Sequence, residues 1–207
     1  AGTALVGLGQ DKRAQEVLKD TVALYKRLQD KSVADSAAHA RYLQGELQFK
    51  EFERAKLASD PKRLEKSLAE KSKLLEQSKA IFIDVVTFGD PEWATAALYR
   101  IGECYEQFAK ALRAAPVPDG LKPEEQEVYR QELEKVVVTV EDKAIDAYKN
   151  GYKKALDLGV YNTFTQKLRT ALGRLSEVEF PPELESRGRA EMGAVRADLP
   201  FLDGVVK

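Results

Sequence analysis

Apolar residues recur along most of this chain with the spacing of amphipathic helices. Leu64, Leu68, Leu75 and Phe82 form one such stripe, because intervals of three or four residues place side chains on one face of an α-helix. Strand patterns are almost absent. The spacing predicts helices over residues 11–29, 34–59, 61–87, 91–114, 123–158 and 163–179, followed by a short helix near 182–192.

One segment, residues 136–140, favours a strand when it is taken alone. Its sequence is Val-Val-Val-Thr-Val, and β-branched residues are enriched in strands. The surrounding apolar residues, from Tyr129 to Ala155, nevertheless keep the three-to-four-residue interval. We therefore interpret the segment as part of one long helix.

Proline marks several of the predicted helix starts. Asp60-Pro61 and Asp90-Pro91 each place a capping carboxylate before a proline, and this combination is typical of the first turn of a helix. Pro123 is followed by two glutamates, which the helix dipole favours at that end. Most connections are short, so neighbouring helices are expected to run antiparallel as hairpins.

Part of the chain repeats itself 57 residues later. Residues 42–46, Tyr-Leu-Gln-Gly-Glu, align with residues 99–103, Tyr-Arg-Ile-Gly-Glu. Glycine inside a helix costs about 1 kcal/mol relative to alanine, so we expect Gly45 and Gly102 to lie where the backbone of a partner helix approaches closely. Gly173 is interpreted as a third, weaker copy. A closed bundle would also bury the apolar stripes, but the duplication favours a row of stacked hairpins.

The second copy resembles a tetratricopeptide repeat. Leu98-x-x-Ile101-Gly102-x-x-Tyr105 has the residue types and spacing of the first helix of such a repeat. The intervals of 57 and 71 residues between the three glycines exceed the family's usual 34 or so. The resemblance therefore implies an all-α fold, a tetratricopeptide-like α-solenoid of antiparallel hairpins with unusually long helices. It places the repeat domain at residues 11–195, after a flexible leader at 1–10 and before an apolar tail at 196–207 that caps the array or docks elsewhere.

If the family geometry carries over, the resemblance also implies a set of groove residues. In the third copy these are Lys167 and Arg174. Those of the first two copies are His39, Tyr42, Glu46, Phe49, Tyr99, Glu103 and Glu106. The repeated tyrosines and carboxylates would form a peptide-binding track that selects basic groups. The alternative interpretation makes both tyrosines core residues and both repeated glutamates solvated surface charges.

Composition argues against several classes of function. The formal net charge of −1 gives no basic field to attract nucleic acid, and the longest apolar stretch, residues 80–86, is too short to cross a membrane. His39 is the only histidine and Cys104 the only cysteine. We expect Cys104 to be a buried packing residue, and we expect no catalytic centre, metal or cofactor.

These observations predict a non-enzymatic scaffold, monomeric in solution, that binds a protein or peptide partner on a concave face. The alternative is a structural spacer or self-assembly module. The chain begins at Ala1, which favours a piece of a longer protein. Long-helix repeats of this kind are similar to those of bacterial cell-envelope machines for gliding motility or outer-membrane assembly, a resemblance that weakly favours the periplasm or cell envelope over the cytoplasm.

Overall fold

The computed structural model describes residues 1–28 and 30–181, and the regular elements in these ranges are all helical. A short 3-10 turn, Lys31–Val33, precedes the third α-helix. The helices are α1 (Gly2–Gly7), α2 (Asp11–Leu28), α3 (Ala34–Arg54), α4 (Pro61–Val86), α5 (Pro91–Arg113), α6 (Pro123–Asp157) and α7 (Thr163–Leu175). The β-branched segment 136–140 lies within α6, so the prediction of one long helix is confirmed.

The predicted helix starts are confirmed by their caps. The Asp60 carboxylate accepts a hydrogen bond of 2.9 Å from the backbone N–H of Lys62, and Asp90 accepts one of 2.9 Å from that of Trp93. At the start of α6, the Glu125 carboxylate accepts from the backbone N–H of Lys122 at 2.8 Å. These contacts satisfy N–H groups that have no partner inside the helix.

The predicted end of α3 is wrong by five residues, and a buried lysine provides the physical reason. The ammonium of Lys71, on α4, donates to the backbone carbonyls of Phe52 and Ala55 at 2.8 and 2.6 Å. Carbonyls in the last turn of a helix lack intrahelical partners. Lys71 therefore caps α3 from the neighbouring helix, and the chain leaves the helix after Arg54.

Each helix packs against the next one in the sequence, and alternate helices also meet. Contacts join α1 to α3, α3 to α5, and α5 to α7, in addition to all the sequential pairs. The main core runs from Ala14 on α2 to Val140 on α6. A second cluster around Tyr148 and Leu168 joins α6 to α7.

Two of the three repeat glycines lie at close helix crossings. A Cβ atom added to Gly45 would lie 2.5 Å from the ring of Phe82, and one added to Gly102 would overlap the ring of Tyr148. The space is thus taken by an aromatic ring, and not by the partner helix backbone as expected. Gly173 differs, because its nearest neighbours would be 3.4 Å or more away. Its assignment to a third crossing is wrong, and Gly151, packed against Leu168, lies at a close approach instead.

The first ten residues differ in part from the expected flexible leader. They contain α1, and Gly2 is buried against the side chain of Leu18 on α2. The leader is therefore partly helical and packed. The short helix expected near 182–192, the end of the domain predicted over 11–195, and the apolar tail at 196–207 lie outside the described residues.

Candidate functional site

The nine residues expected to contact a partner lie on α3, α5 and α7. These three helices touch in sequence, α3 with α5 and α5 with α7. The sequence prediction therefore selects one connected region of the molecule. Within that region the side chains have different roles, and several differ from the expectation.

A continuous row of rings connects the three helices. His39 stacks on Trp93 with ring centroids 4.1 Å apart, and Trp93 lies 5.2 Å from Tyr42. Tyr42 lies 6.2 Å from Phe164, which lies 6.2 Å from Tyr99. We call these five residues the aromatic row. Successive rings come from different helices, and all of them except Tyr42 are partly exposed.

Two of the expected contact residues are buried. Tyr42 is 6% exposed and Phe49 is 4% exposed. The ring of Tyr42 packs against Phe82 at 5.7 Å, and that of Phe49 packs against Phe52 at 5.8 Å. Both expectations are corrected: these two side chains belong to the core and offer almost no surface to a partner.

The two repeated glutamates share one arginine as their partner within the molecule. Arg100, on α5, pairs with Glu46 across the helix contact, with its Nε 2.6 Å from Oε1 and its second terminal nitrogen 2.7 Å from Oε2. Arg100 also pairs with Glu103, which accepts a hydrogen bond from the Tyr99 hydroxyl at 2.8 Å. Burial alone would lower the pKa of Arg100, but the Glu46 and Glu103 carboxylates raise it above its ordinary value. Both carboxylates are thus engaged within the molecule, although a single arginine leaves one of their two negative charges unbalanced. Their selection of basic groups on a partner stays a prediction.

Glu106 is a buried acceptor that links three helices. It accepts hydrogen bonds from the Tyr148 hydroxyl on α6 at 3.0 Å and from Arg174 on α7 at 2.8 Å, and it pairs with Lys110 at 2.8 Å. Desolvation opposes ionisation, but these donors outweigh it and hold the pKa of Glu106 below its ordinary value. A carboxylate this enclosed acts within the structure, so its expected contact with a partner is also corrected.

One end of the aromatic row remains open and basic. Lys167 is exposed, with its ammonium 5.2 Å from the Phe164 centroid and 5.5 Å from the Tyr99 centroid. It makes no ion pair with any residue in the described ranges. A shallow depression of about 360 Å³ opens beside it and is lined by Tyr99, Thr170 and Arg174 among others. Lys167 and Arg174 are both exposed, and their contact with a partner stays a prediction.

The other end of the row carries carboxylates. The Trp93 indole N–H donates to Asp35 at 2.8 Å, beside the stacked imidazole of His39. Desolvation lowers the pKa of His39 below its ordinary value, although the nearby charges of Asp35 and Glu92 act in the opposite direction. His39 is therefore a partly exposed, predominantly neutral ring near pH 7.

Four residues of this region were missed from the sequence, namely Trp93, Arg100, Tyr148 and Phe164. Trp93 and Phe164 each lie nine residues before a repeat glycine, Gly102 and Gly173 respectively. Extending the alignment toward the start of each helix would have found this aromatic pair. Arg100 has no such signal, because Leu43 occupies its position in the first copy.

Other chemistry is sparse in this part of the chain. Within residues 1–28 and 30–181 no cluster of three or more histidine, cysteine or acidic side chains could hold a metal ion. Cys104 is fully buried, as expected, and burial raises the pKa of its thiol. None of the described helices is both long and apolar enough to cross a bilayer.

Comparisons of the chain with protein-family models, with curated proteins and with solved structures found no match. Any functional proposal therefore depends on the contacts described above.

Proposed function

We propose that the chain is a non-enzymatic scaffold that binds a segment of a protein partner across α3, α5 and α7. The aromatic row is the observation that carries this proposal. Partly exposed aromatic rings are enriched at protein interfaces, since they offer large apolar area at a low entropic cost. Here the rings of Trp93, Phe164 and Tyr99 are held by contacts between helices, so a partner would meet a preformed surface.

The proposal includes a tetratricopeptide-like solenoid as the architecture. Contacts between alternate helices, from α1 to α7, support it, because stacked hairpins bring the first helix of each unit against that of the next. In such an array α3, α5 and α7 would share the concave face. The bacterial envelope context remains part of the proposal through the resemblance alone.

The predicted contact set changes accordingly. Trp93 and Phe164 join Tyr99 and Lys167, which the sequence already predicted. The buried Tyr42 and Phe49 and the arginine-paired Glu46 and Glu103 leave the set. Asp35 and Glu92 lie at one end of the row and Lys167 at the other. A bound peptide or helix would therefore meet apolar surface in the middle and opposite charges at the two ends.

Partner capture with matched variants tests the scaffold. The tagged chain is used to capture its partner from the native cell, and the affinity of the purified partner is then measured for each variant. Phe164→Ala should weaken binding about tenfold or more, since a central aromatic contact contributes over 1 kcal/mol at an interface. Tyr161→Ala is the control, because Tyr161 is 79% exposed and lies outside the row. Equal losses for both variants, or none for Phe164→Ala, would contradict the proposal.

A structural spacer or self-assembly module is the second candidate, supported by exposed valines on α6. Val128, Val136 and Val138 are each about half exposed, and such apolar positions favour contact between copies. Light scattering over a range of concentrations separates the candidates. A scaffold should keep the mass of one chain, about 23 kDa, whereas an assembly module should gain mass as the concentration rises.

A further inference from the structure

An apolar groove lies away from the aromatic row, between α4 and the first half of α6. It has a volume of about 410 Å³. Leu64 and Leu68 form one wall, Tyr129, Leu133 and Val136 form the other, and Leu112 lies between them. We call it the α4–α6 groove. The charged residues that line it are both acidic, Glu65 and Glu132, and Glu132 is paired with Lys135.

This groove leaves aliphatic side chains accessible to water. Most of its lining is aliphatic, and Val136 is 50% exposed although it faces other apolar side chains. A concave, mostly apolar cleft of this volume is a common form of binding site.

We propose that the apolar C-terminal segment of this same chain, residues 199–206, docks in the α4–α6 groove. Its sequence is Leu-Pro-Phe-Leu-Asp-Gly-Val-Val, and five of its eight residues are aliphatic or aromatic. Leu199, Phe201 and Leu202 supply side chains that match an aliphatic groove by burial of apolar area.

The chain has ample length to reach. The described residues end at Pro181, where Phe180 packs on the Tyr152 ring of α6 at 6.4 Å. Val136 lies 16 residues earlier on the same helix, a distance of about 24 Å at 1.5 Å per residue. The 18 residues from Pro181 to Leu199 can span about 60 Å when extended, so the segment arrives without strain.

The tether also favours this occupant over a separate molecule. A segment joined to its site by a linker of this size is present at an effective concentration on the order of 1 mM. Another apolar segment would have to exceed that concentration or bind more tightly. The proposal is independent of the partner site on the aromatic row, because the two surfaces share no residue.

Photo-cross-linking in the intact 207-residue chain tests the proposal. Phe201 is replaced by the photo-reactive analogue p-benzoylphenylalanine, and the products are separated by mass and mapped by peptide sequencing. We expect cross-links within one chain, to residues 57–68 or 129–136. Cross-links that join two copies, that fall elsewhere on the chain, or that do not form would each overturn the proposal.

Two matched valine variants make the test specific. Val136→Glu places a carboxylate in the groove and should abolish the cross-link. Val128→Glu introduces the same charge eight residues earlier on α6, at a residue that is 58% exposed and does not line the groove, and it should leave the cross-link intact. Both positions are exposed enough to keep the helix folded, which circular dichroism verifies. An unchanged yield for Val136→Glu, or an equal loss for both variants, would also overturn the proposal.

Discussion

In the first copy of the repeat, Gly45 on α3 faces the ring of Phe82 on α4, and in the second copy Gly102 on α5 faces the ring of Tyr148 on α6. The two crossings share one packing solution, a ring seated on a glycine. They differ by one oxygen atom. The Phe82 ring is fully buried among apolar neighbours, whereas the Tyr148 ring brings a hydroxyl into the interior.

That hydroxyl determines what surrounds the second crossing. A buried hydroxyl needs a hydrogen-bond partner, and Glu106 provides it. The matching position in the first copy, four residues after the glycine, is Phe49. Glu106 in turn requires cations, which Arg174 and Lys110 supply. The first crossing is thus closed and apolar, while the second extends a polar network to α7 and helps to attach it.

The largest effect is expected from breaking the apolar crossing. Phe82→Ala should lower the free energy of unfolding by about 3–5 kcal/mol, because it leaves a cavity opposite a glycine that has no side chain to fill it. Urea denaturation followed by circular dichroism measures the change. Ile83→Ala is the control, since Ile83 is the next residue on α4 but half exposed, and it should cost less than about 1 kcal/mol. Similar losses for both variants would show that the ring on Gly45 has no special role.

A smaller effect is expected from filling the polar crossing. Gly102→Leu should destabilise the fold by about 1–3 kcal/mol, since even its Cβ overlaps the Tyr148 ring. Gly173→Leu adds the same side chain to a helix glycine whose Cβ would meet Arg169 and Phe180 only at ordinary contact distances, 3.4 and 3.5 Å. It should be neutral or slightly stabilising, because leucine has the higher helix propensity. Thermal unfolding distinguishes the two, and a neutral Gly102→Leu would contradict the crossing.

Features that depend on residues close together in the sequence were predicted correctly, whereas features that depend on distant residues were missed. Helix starts were predicted correctly because Asp60 and Asp90 cap residues two or three positions away. The end of α3 was predicted incorrectly, because the residue that caps it, Lys71, lies on the next helix. The crossings at Gly45 and Gly102 could be inferred from the cost of glycine in a helix.

The candidate site was also missed where it depends on contacts between residues distant in the sequence. The repeat pattern selected three helices that lie in contact with one another. It could not separate buried Tyr42 from partly exposed Tyr99, since both follow the same repeat. The pairing of Glu46 with Arg100 joins residues 54 positions apart, and no local pattern encodes it. Repeat patterns thus predict which helix faces meet, whereas the partner of each charged side chain depends on contacts between residues far apart in the sequence.

The smallest effect concerns the ionisation of Glu106 and tests the polar crossing directly. The pKa of Glu106 in the folded chain is held below its ordinary value of 4.5 by its hydrogen-bond donors, despite desolvation. A carboxyl whose pKa is lowered on folding stabilises the fold fully above its unfolded pKa. That contribution is lost as the pH falls through the lower, folded-state pKa. Glu106→Gln keeps the shape of the side chain but cannot ionise.

At pH 7 we therefore expect Glu106→Gln to be less stable than the natural chain by about 1.5–2 kcal/mol. This is the lower part of the range for a hydrogen bond to a charged group, because the glutamine carbonyl can still accept one hydrogen bond. Below pH 4.5 the difference in the free energy of unfolding should shrink. The natural chain then loses the stabilisation that the Glu106 charge provides, whereas the variant never had it. Urea denaturation at a series of pH values measures the gap. A difference in unfolding free energy that stays constant at acidic pH would mean that the Glu106 charge does not stabilise the second crossing. The two crossings, at Gly45 and Gly102, would then differ in packing alone.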